Sequence, residues 1–171
     1  MEAVDGRMSQ KRSRRMTWAY YLAAILVLWI AVRLISGAAK PGHELGVHQG
    51  RLAPCPQTPN CVSTQATDEA QRMEPLIFEP SIEDPLADVA AVIDTMPRSR
   101  VVTHDGNYLH AEFQSLLFGF VDDVEFLVDR ENARVEFRSA SRVGYSDLEA
   151  NRKRMQEIRR KLSAFWSDET R

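Results

Sequence analysis

Cys55 and Cys61, the two cysteines of this chain, close the loop Cys55-Pro56-Gln57-Thr58-Pro59-Asn60-Cys61. A redox dithiol works best with two residues between the sulfurs and a cation beside one of them; here five intervene, and no lysine or histidine adjoins them. A zinc site would have to recruit His43 and His48, and the four spacings do not form the usual clusters. A disulfide asks only that the thiols be held near each other. Pro56 and Pro59 restrict the backbone and Asn60 tolerates a turn, so the loop favours that bond, and neither metal nor cofactor is expected.

A second constellation comes from alternation. In Tyr108–Ser115, Leu109, Ala111 and Phe113 fall on one face, with Tyr108, His110, Glu112 and Gln114 on the other. Phe120–Val128 separates Phe120, Asp122, Val124, Phe126 and Val128 from Val121, Asp123, Glu125 and Leu127. Arg134–Ala140 opposes Val135, Phe137 and Ser139 to Arg134, Glu136 and Arg138. One sheet face therefore gathers His110, Glu112, Asp123, Glu125, Glu136 and Arg138. Such a face is either a solvated exterior with cross-strand charge pairs or a polar groove. In the groove, His110 and Glu112 would act as acid and base, or the carboxylates would hold a divalent cation.

Asp122 is in register with apolar neighbours, and an unpaired buried carboxylate costs several kcal/mol. The expectation is a network joining Asp122, Arg142 and Asn151, with Ser141 and Arg152 close by. It would either pin the last helix to the sheet or line a ligand site; a β-bulge turning Asp122 and Asp123 outward would remove the need for it. Gly-x-Ser-x-Gly fails at Leu148, and no glycine-rich phosphate loop, His-Glu-x-x-His or EF-hand loop occurs. No catalytic residue is assigned, and an enzyme is not indicated.

The elements that must position these residues follow from periodicity. Leu86, Val89, Val92, Ile93 and Met96 mark a helix over 84–96, bounded by Pro85 and Pro97. Strands are expected over 99–104, 108–115, 120–129 and 134–140, joined by short turns, with a short extended edge segment at 74–80. Ser146-Asp147-Leu148-Glu149 reads as a capping box opening a final helix with the stripe Leu148, Met155, Ile158, Leu162 and Phe165. The fold class expected is α+β: an N-terminal transmembrane helix, then a four-stranded antiparallel meander covered on one face by two helices.

The transmembrane element is the apolar run from Met16 through Ser36, about 20 residues against a hydrocarbon core of about 30 Å. Arg7, Lys11, Arg12, Arg14 and Arg15 precede it, which places the N-terminus in the cytoplasm and the rest outside. The small residues Ser36-Gly37-Ala38-Ala39 leave cleavage as a signal peptide open, although the run exceeds the usual length of such a segment. The organisation expected is a basic N-terminus (1–15), the span (16–36), a juxtamembrane linker (37–54), an exported domain (55–166) and a tail (167–171). The part after Arg33 keeps 16 of the 22 basic and 22 of the 24 acidic residues, a net of −6, which excludes bulk attraction to nucleic acid. Arg152-Lys153-Arg154 and Arg159-Arg160-Lys161 flank the stripe of the last helix and either solvate it or meet anionic lipid headgroups or an envelope protein. Leu116-Leu117-Phe118 is either a buried bend or a second apolar contact point.

Four stretches carry a resemblance: Cys-Pro-x-Thr-Pro-Asn-Cys-Val-Ser at 55–63, Tyr-Leu-His-Ala-Glu-Phe at 108–113, Phe-Val-Asp-Asp-Val-Glu-Phe at 120–126, and Arg-Ser-Ala-Ser-Arg-Val-Gly-Tyr-Ser-Asp-Leu at 138–148 with Asn151-Arg152. Together they resemble the domain-of-unknown-function family DUF1499. The resemblance implies no catalytic residue. The expectation is a membrane-anchored binding or accessory module of the cell envelope, in the inner membrane with its domain in the periplasm. The alternative is a hydrolase or metal-dependent enzyme using His110, Glu112, Asp123 and Glu125.

Overall fold

The computed structural model describes residues 3–169, with side chains over 17–167. The basic flank from Arg7 to Arg15 and the last residues of the expected tail lie outside the described side chains. Helix α1 (Ala3–Gly37) contains Thr17–Gly37, 21 residues of mean hydropathy 2.0, long and apolar enough to cross a membrane. The chain then forms a small hairpin, β1 (Val47–His48) with β2 (Arg51–Leu52), followed by β3 (Cys61–Ser63) and β4 (Leu76–Ile77).

Helix α2 (Pro85–Asp94) starts where Asp84 accepts hydrogen bonds from the Leu86 and Ala87 N–H groups, with proline allowed in the first turn. Strands β5 (Ser99–Asp105), β6 (Tyr108–Gln114), β7 (Val121–Asp129) and β8 (Arg134–Ser141) follow as an antiparallel meander, and α3 (Ala150–Glu169) closes the fold. The protein is α+β, as its alternating and helical periodicities require.

The sheet has six strands, not four. Its order is β3-β8-β7-β6-β5, and β4 also pairs with β8. β3 and β4 occupy successive stretches of the free β8 edge, Cys61 opposite Ala140 and Leu76 opposite Val135. Elements of two or three residues are too short to show a period; the edge segment expected at 74–80 from its flanking prolines holds β4, while β3 was not expected.

The apolar face of the meander carries the core. Leu109, Val124, Phe126, Val135 and Phe137 are fully buried against Leu86, Val89 and Ile93 of α2 and Met155, Ile158 and Leu162 of α3. Both helices lie on this face, α2 toward β5, β6 and β7, and α3 toward β8 and β3.

The start of α3 differs from the capping-box expectation. Leu148 and Glu149 take left-handed backbone angles (φ 53° and 65°), so the helix begins at Ala150, three residues later, and Asp147 holds the Glu149 and Asn151 N–H groups. Phe120 also departs from its expected strand: it lies half-exposed outside β7, its ring 5.7 Å from that of Phe118.

Candidate functional site

Alternation along β6, β7 and β8 assembles the polar face. His110 stands opposite Glu125, Glu112 opposite Asp123, and Glu125 opposite Arg138. The face is not solvated. His110, Asp123, Glu125, Glu136 and Arg138 are all buried, Asp123 at 1% and Glu125 at 0% exposure.

What covers them is the stretch expected to be a linker. Residues 39–54 cross the face as a strap, held by charged groups reaching its backbone. Arg142 Nη1 donates to Ala39 O at 3.0 Å, Arg138 donates to Glu44 O at 2.8 Å and to Pro54 O at 3.1 Å, and the Gly46 N–H donates to Glu125 at 2.6 Å. Leu52 and Ala53 are buried beside them. A strap of this kind satisfies its backbone groups with side chains, which is why it carries no hydrophobic period.

Beneath the strap the charges balance. Glu125 accepts from Arg138 at 2.8 Å and from the Tyr108 hydroxyl at 2.8 Å. Asp123 accepts from Arg142 at 2.9 and 2.7 Å and from His110 Nε2 at 2.8 Å; because a carboxylate only accepts, that ring nitrogen carries the proton. Glu112 pairs with Arg142 and with Arg100.

Burial pushes the Asp123 carboxyl up, but the hydrogen bonds from Arg142 and His110 outweigh it and hold it at about 2. Burial likewise raises Glu112, and Arg100 and Arg142 bring it below its usual value. Burial and the neighbouring Glu125 push the Tyr108 hydroxyl far up, so it serves as a donor. Burial and the Arg138 charge push His43 down; its Nε2 lies 3.5 Å from Asp123, buried and without a hydrogen-bond partner.

Asp122 faces the helices, with Ser141 its cross-strand neighbour. Its partner is Arg154 rather than the expected Arg142. The reason is the same alternation continued: Ser139 and Ser141 point to α3, so Arg142 follows Arg138 to the opposite face. Arg154 stands three residues after Asn151 on one face of α3, stacked over Phe113 at 4.8 Å.

Asn151 is fully buried, accepting from Ser139 at 2.6 Å and donating to Ser141 at 3.2 Å and to Asn60 O at 2.9 Å. The structure thus joins Asp122 and Asn151 through Arg154, and places Arg142 in the strap-covered cluster. Arg152 belongs to neither; it donates to Ala70 O at 2.6 Å on the exposed side.

Cys55 and Cys61 are disulfide-bonded, with Cα atoms 5.7 Å apart. Gln71 braces their loop by donating to Pro56 O and Thr58 O, and Asn60 donates to Gly144 O at 2.7 Å. Asn60 thereby ties the clasp to the turn before α3. Sequence reasoning missed the roles of Asn60, His43, Arg154 and Arg100. For Arg154 the helical spacing to Asn151 was a usable signal; for His43, in an aperiodic strap, there was none.

The basic flanks of α3 are largely engaged within the molecule: Arg154 as above, Arg159 with the Glu74 and Pro75 carbonyls, Arg152 with Ala70 and Arg72. Among the described residues, no group of three or more His, Cys, Asp or Glu side chains is placed to hold a metal ion. Chemically, the covered cluster is a set of buried charges that satisfy one another, with His43 Nε2 left over beside Asp123. An open cleft of about 380 Å³ lies elsewhere, between the disulfide loop and residues 145–149, rimmed by Tyr145 and Leu148 at 74% and 83% exposure.

A membrane-length helix joined to a disulfide-clasped α+β domain, its sheet roofed on one side by helices and on the other by its own strap, is the class that this fold and site define. The chain belongs to the DUF1499 family of proteins of unknown function, whose family model matches residues 51–162. No curated protein and no solved structure matches it. Most of the strap, up to Gly50, lies before the matched residues.

Proposed function

We propose that this protein is a single-pass envelope protein, anchored in the inner membrane through residues 16–36, that serves as a binding or accessory module and not as an enzyme. The N-terminus lies in the cytoplasm and the clasped domain in the periplasm, a reading supported by the basic residues before the span and by a disulfide suited to an oxidising compartment.

The observation that carries the binding role is the closed polar face. Every carboxylate there that a catalytic site would use is held by an arginine, a tyrosine or a backbone N–H of the same chain. An accessible surface with exposed apolar side chains lies instead at the cleft with Tyr145 and Leu148. These two are held outward by a turn whose left-handed Leu148 and Glu149 each cost about 1–2 kcal/mol, strain of the sort retained at contact sites.

A photoreactive residue replacing Tyr145 in native membranes should give a discrete adduct, abolished by Leu148→Glu and kept in a folded Asp123→Asn variant. Absence of any adduct would overturn the reading.

A second reading, a hydrolase or metal-dependent enzyme working through His110, Glu112, Asp123 and Glu125, is favoured by one observation. The buried His43 Nε2, on the strap beside the His110 and Asp123 pair, lacks a hydrogen-bond partner, which a small substrate or ion entering between strap and sheet would supply. A hydrolytic turnover lost in a folded His110→Gln variant would establish it over the binding role.

A further inference from the structure

The turn between β6 and β7 is apolar, exposed and uncharged. Leu116, Leu117 and Phe118 are 62%, 61% and 45% exposed, and nothing from Ser115 to Val121 carries a charge. This turn does not point into open solvent alone: it lies along α1. Trp29 Nε1 donates to Leu117 O at 2.9 Å, and the Arg33 guanidinium donates to Leu116 O.

The contact is close because Gly119 has no side chain. A Cβ there would meet Arg33 O at 3.0 Å and Arg33 Cγ at 3.1 Å. Gly119 also adopts φ +70°, a left-handed angle that glycine takes freely.

Depth follows from helix rise. Arg33 and Trp29 precede the end of the apolar helix at Gly37 by about 6 and 12 Å respectively, at about 1.5 Å per residue. The turn therefore reaches below the level at which the span leaves the hydrocarbon. Backbone carbonyls at that depth have no water, and a bare one is heavily disfavoured. The two donors supplied by the span meet two of these carbonyls. They also give Arg33, a charge inside an apolar helix, a partner there. At the base of the turn the polarity reverses: Arg98 donates to Gln114 O, and Arg98, Arg100 and Lys40 are exposed cations of the kind that anionic headgroups attract.

We propose that Leu116-Leu117-Phe118 is a second membrane contact, sunk among the lipid acyl chains of the leaflet from which α1 emerges. The domain then rides on the bilayer in one orientation and does not swing on a tether. The inference rests on α1 being a membrane span. Its occupant is lipid hydrocarbon, because the turn continues the surface of the apolar helix itself.

The test uses the full chain in phosphatidylethanolamine and phosphatidylglycerol vesicles, with Leu117→Cys carrying a polarity-sensitive fluorophore. Cys55 and Cys61 are bonded to each other, so the introduced thiol is the one that labels. Glu131→Cys is the control, in the exposed turn at the far end of the nine-residue strand β7, roughly 30 Å away. The Leu117 probe should emit at shorter wavelength and lose intensity to spin labels on the acyl chains, while the Glu131 probe does neither.

Retention of the protein in vesicles through an alkaline wash reports the anchor separately. A retained protein whose Leu117 probe stays water-like overturns this inference and leaves the anchor standing. A protein washed free overturns both. A probe shielded from water but unquenched by lipid means that a second copy or another protein covers the turn, and that too overturns it.

Discussion

Replacing Arg142 by Met would test the strap-covered cluster most directly. The Arg142 side chain is 9% exposed and its loss removes the hydrogen bonds to Asp123, Glu112 and Ala39 O. Asp123, with a side chain 0% exposed, would keep only His110. Breaking a buried pair from one side costs about 3–5 kcal/mol, and Arg100 still supports Glu112, so a loss of about 3 kcal/mol is expected.

Asp123→Asn should cost about 2 kcal/mol by itself, because the amide oxygen still accepts from Arg142 and Arg142 keeps Glu112. The double variant should cost about 1–3 kcal/mol less than the sum, because the second change removes the orphaned charge left by the first. Urea unfolding of the full chain in mild detergent, followed by near-ultraviolet circular dichroism, reads these differences. The same cycle between Asp122 and Arg142 should give no coupling, since they face opposite sides of the sheet. Additive effects at Asp123 and Arg142, or coupling at Asp122 and Arg142, would refute the assignment of faces.

Asp122→Asn with Arg154→Met should show coupling of about 1–2 kcal/mol in the same unfolding assay, as two partly buried groups that lose each other. Between pH 7 and 5 the wild type should lose stability. His43 sits folded below its usual 6.5, so the unfolded chain binds the proton first and the neutral buried ring is favoured only above that pH; His43→Gln should flatten this slope. Asp123, held at about 2 against the usual 3.8, supports the fold above about pH 4 by roughly 2–3 kcal/mol, and that support should vanish toward pH 2; folded Asp123→Asn should lack this limb. Cys55→Ser should lower stability by about 2 kcal/mol, and unreduced wild type should show no alkylatable thiol by mass spectrometry.

Periodicity alone determined the two helices, the four long strands and the division of their side chains between faces. His110, Glu112, Asp123, Glu125, Glu136 and Arg138 are gathered by alternation, and the structure keeps them together. The cysteine spacing, the proline-rich loop and the export implied by the apolar span together led to the disulfide, which is present.

Three things were decided only by tertiary structure. The polar face is interior because residues 39–54 bind it through backbone carbonyls and N–H groups, which every sequence possesses and no sequence pattern advertises. The edge of the sheet is completed by β3, which no sequence pattern marked, and by β4 within the expected edge segment at 74–80; that both join one sheet is set by the unpaired groups that β8 offers. Asp122 chose Arg154 over Arg142 because strand alternation sends Arg142 through to the other face while α3 brings Arg154 down onto the sheet. A sequence records which residues share a face; which charge meets which is set by the distances that packing imposes, since an ion pair is worth its burial only within about 4 Å.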